Sequence, residues 1–384
     1  MNSSPDLTAL RSAIEQTDRQ ILALFEQRMR IASQVGALKL ASGRPVYDAV
    51  REAELVAGVT AEVAPEQRQR AVNMMGCLMR QSRGVQYEMI ARESDHLIEP
   101  LTGHAQAQWP QDLHVLCQGA EGAYSAEAAR VLFPDHAFTM TETWADACEQ
   151  VSDGRADVVV LPLENSSAGT VGDVYDLILR HDLKIWRSLR LPIRHVLMGN
   201  ANAGRHTVHT VISHPQALAQ CSDMIRAAGW KTRESLNTAY AARTVAESQD
   251  PGLAAIGSRA AADAWGLRII DRDLSNQADN QTRFIAVGRD MVTTPDASQI
   301  SLILRLPHQS GSLASTLAIF ADRGLNLTRI QSRPDPDQPW AYMFYLDFTA
   351  ARDDWAAVQA VLYQLESEMP LLRYLGWYHE QRVD

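Results

Sequence analysis

The sequence predicts a multidomain chain in three parts: an all-helical N-terminal segment, a two-lobed α/β middle segment and an α+β C-terminal segment of the ferredoxin-like kind. Three observations carry this. Apolar residues recur at three- and four-residue steps from residue 6 to about 92, with no breaker before "SGRP". Strand-like and helical runs alternate from 113 to about 288. Residues 299–380 then read β-α-β-β-α-β, the split βαβ order.

Leu7, Leu10, Ile14, Ile21, Leu24, Phe25, Ile31, Val35 and Leu38 predict one helix over 7–40. At 1.5 Å per residue it makes a rod of about 50 Å. The rest of the segment is too short to cover it, so an intertwined dimer is expected. A second helix is read from Tyr47 to Glu62, and a third starts near Pro65, a good first-turn residue, and passes Gln86. Residues 93–112 are polar with two prolines and read as a linker. In the middle segment, 113–288, the strands are "LHVLCQ", "ADVVVLPLE", "LKIWRSLRLPI", "TVHTVISH", "AAIGS" and "TRFIAVG". Its helices are "AEAARVLF", "VGDVYDLILRH", "QALAQCSDMIRAAG" and "AAADAWGL". After a linker at 289–298, the last segment places strands at "QISLILRLP", "NLTRIQSR", "WAYMFYLDF" and "LRYLGWY". Helices at "GSLASTLAIFADRG" and "DDWAAVQAVLYQLESE" lie between them.

The formal net charge of −10 argues against a general binder of nucleic acid or membrane surfaces. The N-terminus has no basic and apolar leader, and no run approaches the roughly 18 apolar residues of a membrane span. Four scattered cysteines without CxxC pairing read as reduced thiols of a cytoplasmic protein. The histidines show no HExxH, and neither a metal nor a cofactor is expected.

Charges inside the N-terminal apolar stripe need a reason. Arg28 and Lys39, eleven residues apart, share a helix face, whereas Arg11 is turned about 100° away and would serve another subunit's pocket. Asp48, Arg51 and Glu52 follow on the second helix, and Ser82 and Gln86 sit at i, i+4 on the third. Each alone reads more readily as part of a solvated charge ladder on the bundle helices. Together, "ALRSAIEQTDRQILALFEQRMRIASQVGALK…RPVYDAVREAE" closely resembles the chorismate mutase domain fused to bacterial prephenate dehydratases. The resemblance implies a pericyclic rearrangement of chorismate to prephenate, which needs a held conformer and stabilised developing charge. It implies that Arg11 and Arg28 clamp carboxylates, that Lys39 and Gln86 donate to the ether oxygen, and that Asp48, Arg51, Glu52 and Ser82 complete the pocket. Glu88 is the runner-up to Gln86 and would need a proton to donate.

In the middle segment, "GAEGAYS" (119–125) has the build of a phosphate loop but lacks the lysine and spacing of one, and it carries Glu121. With "LENSSAG", "ISHPQALAQC", "NTAYAA" and "NQTRF" following in order, the segment resembles the prephenate dehydratase domain. That implies a periplasmic-binding-protein-like pair of lobes and loss of water and carbon dioxide from prephenate. Thr282 is then the key hydroxyl, Arg283 a carboxylate partner and Glu164 an alternative acid. Asn165, Ser166, Ser213, Gln220 and Thr238 would orient the substrate, although Asn165 and Ser166 alone read equally as helix caps. Ala120, Ala123 and Asn237 depart from the family pattern.

The last segment resembles the ACT regulatory domain of the same enzymes. Gly311, Ser312, Leu313 and Ala314 match the stretch that binds phenylalanine between paired subunits, and Gln331, Ser332, Arg333 and Pro334 match E-S-R-P with its glutamate replaced. The expectation is a cytoplasmic homodimer or higher oligomer in phenylalanine biosynthesis, turning chorismate through prephenate into phenylpyruvate under feedback by phenylalanine. An inactive prephenate-like or amino-acid sensor, a dehydratase preferring arogenate and an ACT fold that only dimerises are the alternatives.

Overall fold

The computed structural model describes residues 6–93, 104–105, 109–335 and 338–383. The described residues form two compact units, one from Met1–Pro100 with Ile300–Tyr374, the other from Leu101–Gln299 with Leu375–Asp384.

The first unit opens with α1 (Leu7–Ser42), unbroken as its apolar period predicts. Asp6 caps it, accepting from the Thr8 N–H at 3.2 Å. It ends where Gly43 turns to φ +64 and the Gly43 and Arg44 N–H groups reach back to Leu40 and Lys39 carbonyls, a turn that a Cβ would strain. Asp48 caps α2 (Ala49–Ala61) through the Arg51 N–H at 3.0 Å, so this helix starts two residues after the predicted Tyr47. A 3₁₀ turn at Pro65–Gln67 leads into α3 (Arg68–Glu93). Gly36 lets α1 approach α3, since a Cβ there would stand 2.9 Å from Gln86 Cγ. Along α1 the apolar stripe is uncovered within one chain, with Leu7, Ile14, Leu24 and Leu38 60, 60, 65 and 71% exposed.

The strands of the second unit are β1 (His104–Ala105), β2 (Val115–Gln118), β3 (Phe138–Thr141), β4 (Val158–Asn165), β5 (Gly169–Thr170), β6 (Lys184–Pro192), β7 (Val196–Gly199), β8 (Thr210–Ser213), β9 (Lys231–Glu234), β10 (Leu253–Gly257), β11 (Arg268–Asp271), β12 (Gln281–Gly288) and β13 (Val292–Thr293). Its helices are α4 (Tyr124–Leu132), α5 (Trp144–Ser152), α6 (Gly172–Arg180), α7 (Pro215–Gln220), α8 (Ser222–Ala228), α9 (Thr238–Ser248) and α10 (Arg259–Ala264). Two sheets make the two predicted lobes: β6-β12-β4-β2-β3 in one, β11-β7-β10-β8-β9 in the other. β4 and β12 are buried on both faces and read as near-continuous apolar runs for that reason. β1 lies inside the stretch read as linker and pairs with β13.

The C-terminal segment follows the predicted order: β14 (Gln299–Arg305), α11 (Ser312–Ala321), β15 (Asn326–Pro334), β16 (Tyr342–Thr349), α12 (Trp355–Glu368) and β17 (Leu371–Arg382). The end of β17 pairs with β6, His379 opposite Arg187. Among the described residues no helix is long and apolar enough to cross a membrane.

Candidate active sites

β4 and β12 run antiparallel with Thr282 opposite Asn165 and Arg283 opposite Glu164. Side chains alternate across a strand, so Asn165 and Thr282 share one face while Glu164 and Arg283 take the other. Asn165 is buried and fully used. Its Nδ2 donates to Thr282 Oγ1 and Asn280 Oδ1, both at 2.9 Å. Its Oδ1 accepts from the N–H groups of Ser167 and Ala168 and from Ser167 Oγ, at 3.1, 3.0 and 2.7 Å, which fixes the turn after β4. From the other lobe, Gln220 at the end of α7 donates through Nε2 to Ser167 Oγ at 2.7 Å and to Asn165 Oδ1 at 3.4 Å.

Gln220 is itself held. Its Oε1 stands 3.0 Å from His195 Nε2, and His195 Nδ1 lies 3.1 Å from the Tyr124 hydroxyl, which also reaches the Arg194 carbonyl at 3.0 Å. An amide oxygen only accepts, so His195 carries its proton on Nε2. His195 is 2% exposed, and burial holds its pKa below the ordinary histidine value, partly offset by the Gln220 bond. Burial also pushes the Tyr124 phenol well above its usual range. Beside this network a cavity of about 290 Å³ is lined by Ser167, Gln216, Gln220, Asn276 and Asn280, among others. Asn280 Nδ2 is buried with no partner among the described residues.

The glycines of "GAEGAYS" serve backbone contact. Gly119 and Gly122 have φ +121 and +84, and a Cβ on Gly122 would stand 2.3 Å from Ala261 Cα. The Gly122 carbonyl accepts from Ser258 Oγ. Asn237 caps α9 through the Tyr240 N–H, and its buried Nδ2, without a partner among the described residues, lies 3.9 Å from where a Gly119 Cβ would be.

Several expected site residues lie elsewhere. Arg283, expected to meet a substrate carboxylate, donates to the Tyr378 hydroxyl at 2.7 Å and pairs with Glu380 at 3.1 Å, on the face away from Thr282. Glu164 shares that strand face by alternation. Ser213 is fully buried and its hydroxyl donates to the Ile256 carbonyl, tying β8 to β10. Ser166 exchanges two 2.9 Å bonds with the Gln281 backbone, clasping β4 to β12. Thr238 opens α9 beside Asn237. Sequence reasoning missed Ser167, Asn280, Tyr124 and His195; the first three stood inside the quoted motifs, whereas His195 had no spacing to mark its role.

In the helical segment, Arg28 Nη1 donates to the Leu78 carbonyl at 2.6 Å and contacts Ser82 Oγ. Burial lowers the Arg28 pKa, with the Glu52 charge acting the other way. Ser82 and Gln86 are buried, and Gln86 Nε2 donates to the Ser82 carbonyl while its Oε1 has no partner among the described residues. Lys39 Nζ donates to the Val46 carbonyl at 2.6 Å. Thus α1 and α3 bring Arg28, Ser82 and Gln86 together, with Glu52 within electrostatic reach. Asp48 is exposed as the α2 cap, and exposed Arg51 pairs loosely with Glu54 at 3.6 Å. Arg11 is exposed on α1, about 25 Å along the helix from Arg28, so one chain does not join them. Glu88 faces Arg323 at 3.8 Å, and two residues from Gln86 on a helix it points away from the pocket side.

At the start of α11, Gly311 takes φ +85, and Ser312 and Leu313 line a cavity of about 600 Å³ with His308, Tyr342 and Phe344. Exposed Ala314 follows on α11. Gln331, Ser332, Arg333 and Pro334 lie along β15, paired to β16, and do not line that cavity within one chain.

Models of known families match the three segments in order: type II chorismate mutase over residues 10–87, prephenate dehydratase over 115–292 and the ACT domain over 300–362. A bifunctional chorismate mutase/prephenate dehydratase of Escherichia coli is 32% identical over 391 residues, covering all of this chain and 98% of the relative. An arogenate dehydratase/prephenate dehydratase of Arabidopsis thaliana is 34% identical over 77% of this chain and 81% of its own. The prephenate dehydratase of Arthrobacter aurescens, solved with L-Phe, is similar at a TM-score of 0.63 and 28% identity, over 70% of this chain and 90% of that one. An all-helical mutase segment, a two-lobed dehydratase segment and a C-terminal ACT domain, matched end to end, place this chain in the family of bifunctional chorismate mutase/prephenate dehydratases with an ACT regulatory domain.

Proposed function

We propose that the helical pocket rearranges chorismate to prephenate and that the Asn165–Thr282 site converts prephenate to phenylpyruvate, in the cytoplasm, with phenylalanine as the feedback effector at the ACT domain. The observation that supports the dehydratase reading best is the hydrogen-bond order around Thr282. Asn165 Nδ2 donates to Thr282 Oγ1, so the threonine proton is left to point at a substrate. In the reaction the ring–carboxylate bond breaks and the carboxylate leaves as carbon dioxide, its electron pair becomes part of the aromatic ring, and the ring hydroxyl leaves as water by taking up one proton that comes from solvent. Thr282 donates a hydrogen bond to the departing hydroxyl, while Asn165, Ser167, Asn280 and Gln220 hold the surrounding geometry. A threonine hydroxyl is too weak an acid to lose its proton outright, so it acts as donor or relay.

In the mutase pocket, Arg28 clamps one carboxylate and Lys39 and Gln86 face the ether oxygen, with Glu52 and Ser82 as orienting groups. Asp48 and Arg51, on the same α2 turn as Glu52, complete that pocket, and Arg11 enters from the second subunit: the exposed apolar stripe of α1 is the surface that an intertwined dimer covers. Phenylalanine binds where Gly311–Ala314 of one chain meets Gln331–Pro334 of another, which explains why one chain keeps them apart. A mutase segment upstream favours prephenate over arogenate, since prephenate is the mutase's own product.

The test supplies chorismate and follows prephenate and phenylpyruvate separately, with and without phenylalanine. Both products should appear, and phenylalanine should slow the second step. Neither product appearing would leave the sensor reading in its place; faster turnover of arogenate than prephenate would reverse the substrate assignment.

A further inference from the structure

Arg83 follows Ser82 on α3 and has none of the roles above. Its side chain is 12% exposed and holds two carboxylates at once. Nη1 lies 2.7 and 2.6 Å from the two oxygens of Glu52 on α2. Nε lies 2.7 Å from one oxygen of Glu368, the last residue of α12, and Nη2 lies 3.2 Å from the other. The Tyr47 ring packs 5.0 Å from the guanidinium carbon. Burial by itself would lower the Arg83 pKa, but Glu368 and Glu52 more than offset it and raise the value, so this cation is permanent.

Two more links tie α3 to the ACT helices. Arg80 pairs with Asp322 at 2.7 Å, and Arg323 Nη2 donates to the Gly84 carbonyl at 3.2 Å. A cavity of about 130 Å³ is lined by Tyr47, Glu52 and Arg83 together with Gly311, Ser312 and Glu368. The effector loop and a carboxylate of the mutase pocket therefore border the same small space.

We propose that Arg83 is a positioning residue of the mutase pocket, and that the ACT domain acts on the mutase through it because Glu52 and Glu368 share one guanidinium. This rests on the proposed place of Glu52 in that pocket. A buried ion pair that loses one partner leaves the other charge uncompensated. Chorismate carries two carboxylates, so Glu52 without Arg83 repels it and loses its orientation. The effect falls on substrate binding more than on the chemical step. Motion of the α12 end, or a ligand at Ser312, redistributes Arg83 between its two carboxylates and shifts Glu52. The mutase then senses the effector through a path of its own, without passing through the dehydratase lobes.

The experiment uses the full chain. Mutase rates are measured across chorismate concentrations with and without phenylalanine, and dehydratase turnover of added prephenate on the same preparation controls for folding. Arg83→Gln should raise the mutase KM for chorismate about tenfold or more with a smaller change in kcat, and Arg83→Lys should recover part of it. Glu368→Gln should shrink the mutase response to phenylalanine about fivefold or more and leave the dehydratase response in place. A wild-type KM in Arg83→Gln, or a wild-type mutase response in Glu368→Gln, overturns the proposal. Glu52→Ala with unaltered mutase kinetics removes the pocket assignment itself, and the proposal with it. An impaired Glu52→Ala beside a silent Arg83→Gln overturns the positioning role alone.

Discussion

Asn165 Nδ2 donates to Thr282 Oγ1 across the β4–β12 pair at 2.9 Å, and among the described residues no acceptor takes the threonine's own proton. A hydroxyl so oriented is a preformed donor, and removing one donor of this kind costs about 10²–10³ in kcat. Thr282→Ala should therefore lower dehydratase kcat by about that factor, Thr282→Ser should keep most of it, and mutase turnover should not change in either. Steady-state rates on prephenate and chorismate check this. A Thr282→Ala variant with wild-type kcat would remove the hydroxyl from the chemistry.

His195 gives a pH signature. Burial holds its folded pKa below the unfolded value of about 6.5. Between those two values the unfolded chain binds more protons than the folded one, so stability rises with pH through that window and is lost as pH falls through it. Above the window the His195–Gln220 bond is fully present. Replacing the imidazole by His195→Gln should lower Tm at pH 7.5, and the gap from wild type should narrow as pH drops from about 6.5. Thermal unfolding across pH 5 to 8 reads it. A gap that widens on acidification means His195 is protonated in the folded state.

Gln86 and Glu88 divide cleanly. Gln86 is buried against Ser82 and Gly36, whereas Glu88 lies 45% exposed toward Arg323. Gln86→Ala should lower mutase kcat by roughly a hundredfold to a thousandfold, the scale of one transition-state hydrogen bond. Glu88→Gln should leave chorismate turnover within about twofold, as expected for a loose, partly exposed ion pair. The reverse ranking would move the ether-oxygen donor to Glu88.

What was readable in the sequence followed period and burial. The spacing of Leu10, Ile14, Ile21 and Leu24 specified α1, and the apolar runs of β4 and β12 marked strands buried on both faces. β9, "KTRE", is exposed at all four positions and has no apolar residue to alternate, so pairing with β8 alone makes it a strand. The helix read over 216–229 breaks at Cys221, where φ −112 and ψ 14 interrupt it with neither Gly nor Pro as a signal. At the site, motifs named Asn165, Gln220 and Thr282, but His195 meets Gln220 across 25 positions and Asn280 meets Asn165 across 115, distances only the fold closes. Arg283 was open to correction from sequence alone. Consecutive strand residues point to opposite faces, so Thr282 and Arg283 do not line one pocket.

Arg11 and Arg28 lie on one continuous helix about 25 Å apart, and the apolar stripe between them, Ile14, Ile21 and Leu24, is 60, 45 and 65% exposed. If two α1 helices pair along that stripe, each pocket takes Arg28 from one chain and Arg11 from the other. Arg11→Ala and Arg28→Ala should each abolish most mutase activity alone. Mixed under conditions that allow subunit exchange, half of the dimers are heterodimers, and each of these carries one pocket with both arginines intact and one with neither. Activity should then return to about a quarter of the wild-type rate. No recovery, in a mixture where exchange is shown by differently tagged chains, would place Arg11 outside the partner's pocket. Ile21→Glu should convert the chain to a monomer in sedimentation and lose mutase activity with it, because the same helix face that buries the stripe delivers Arg11.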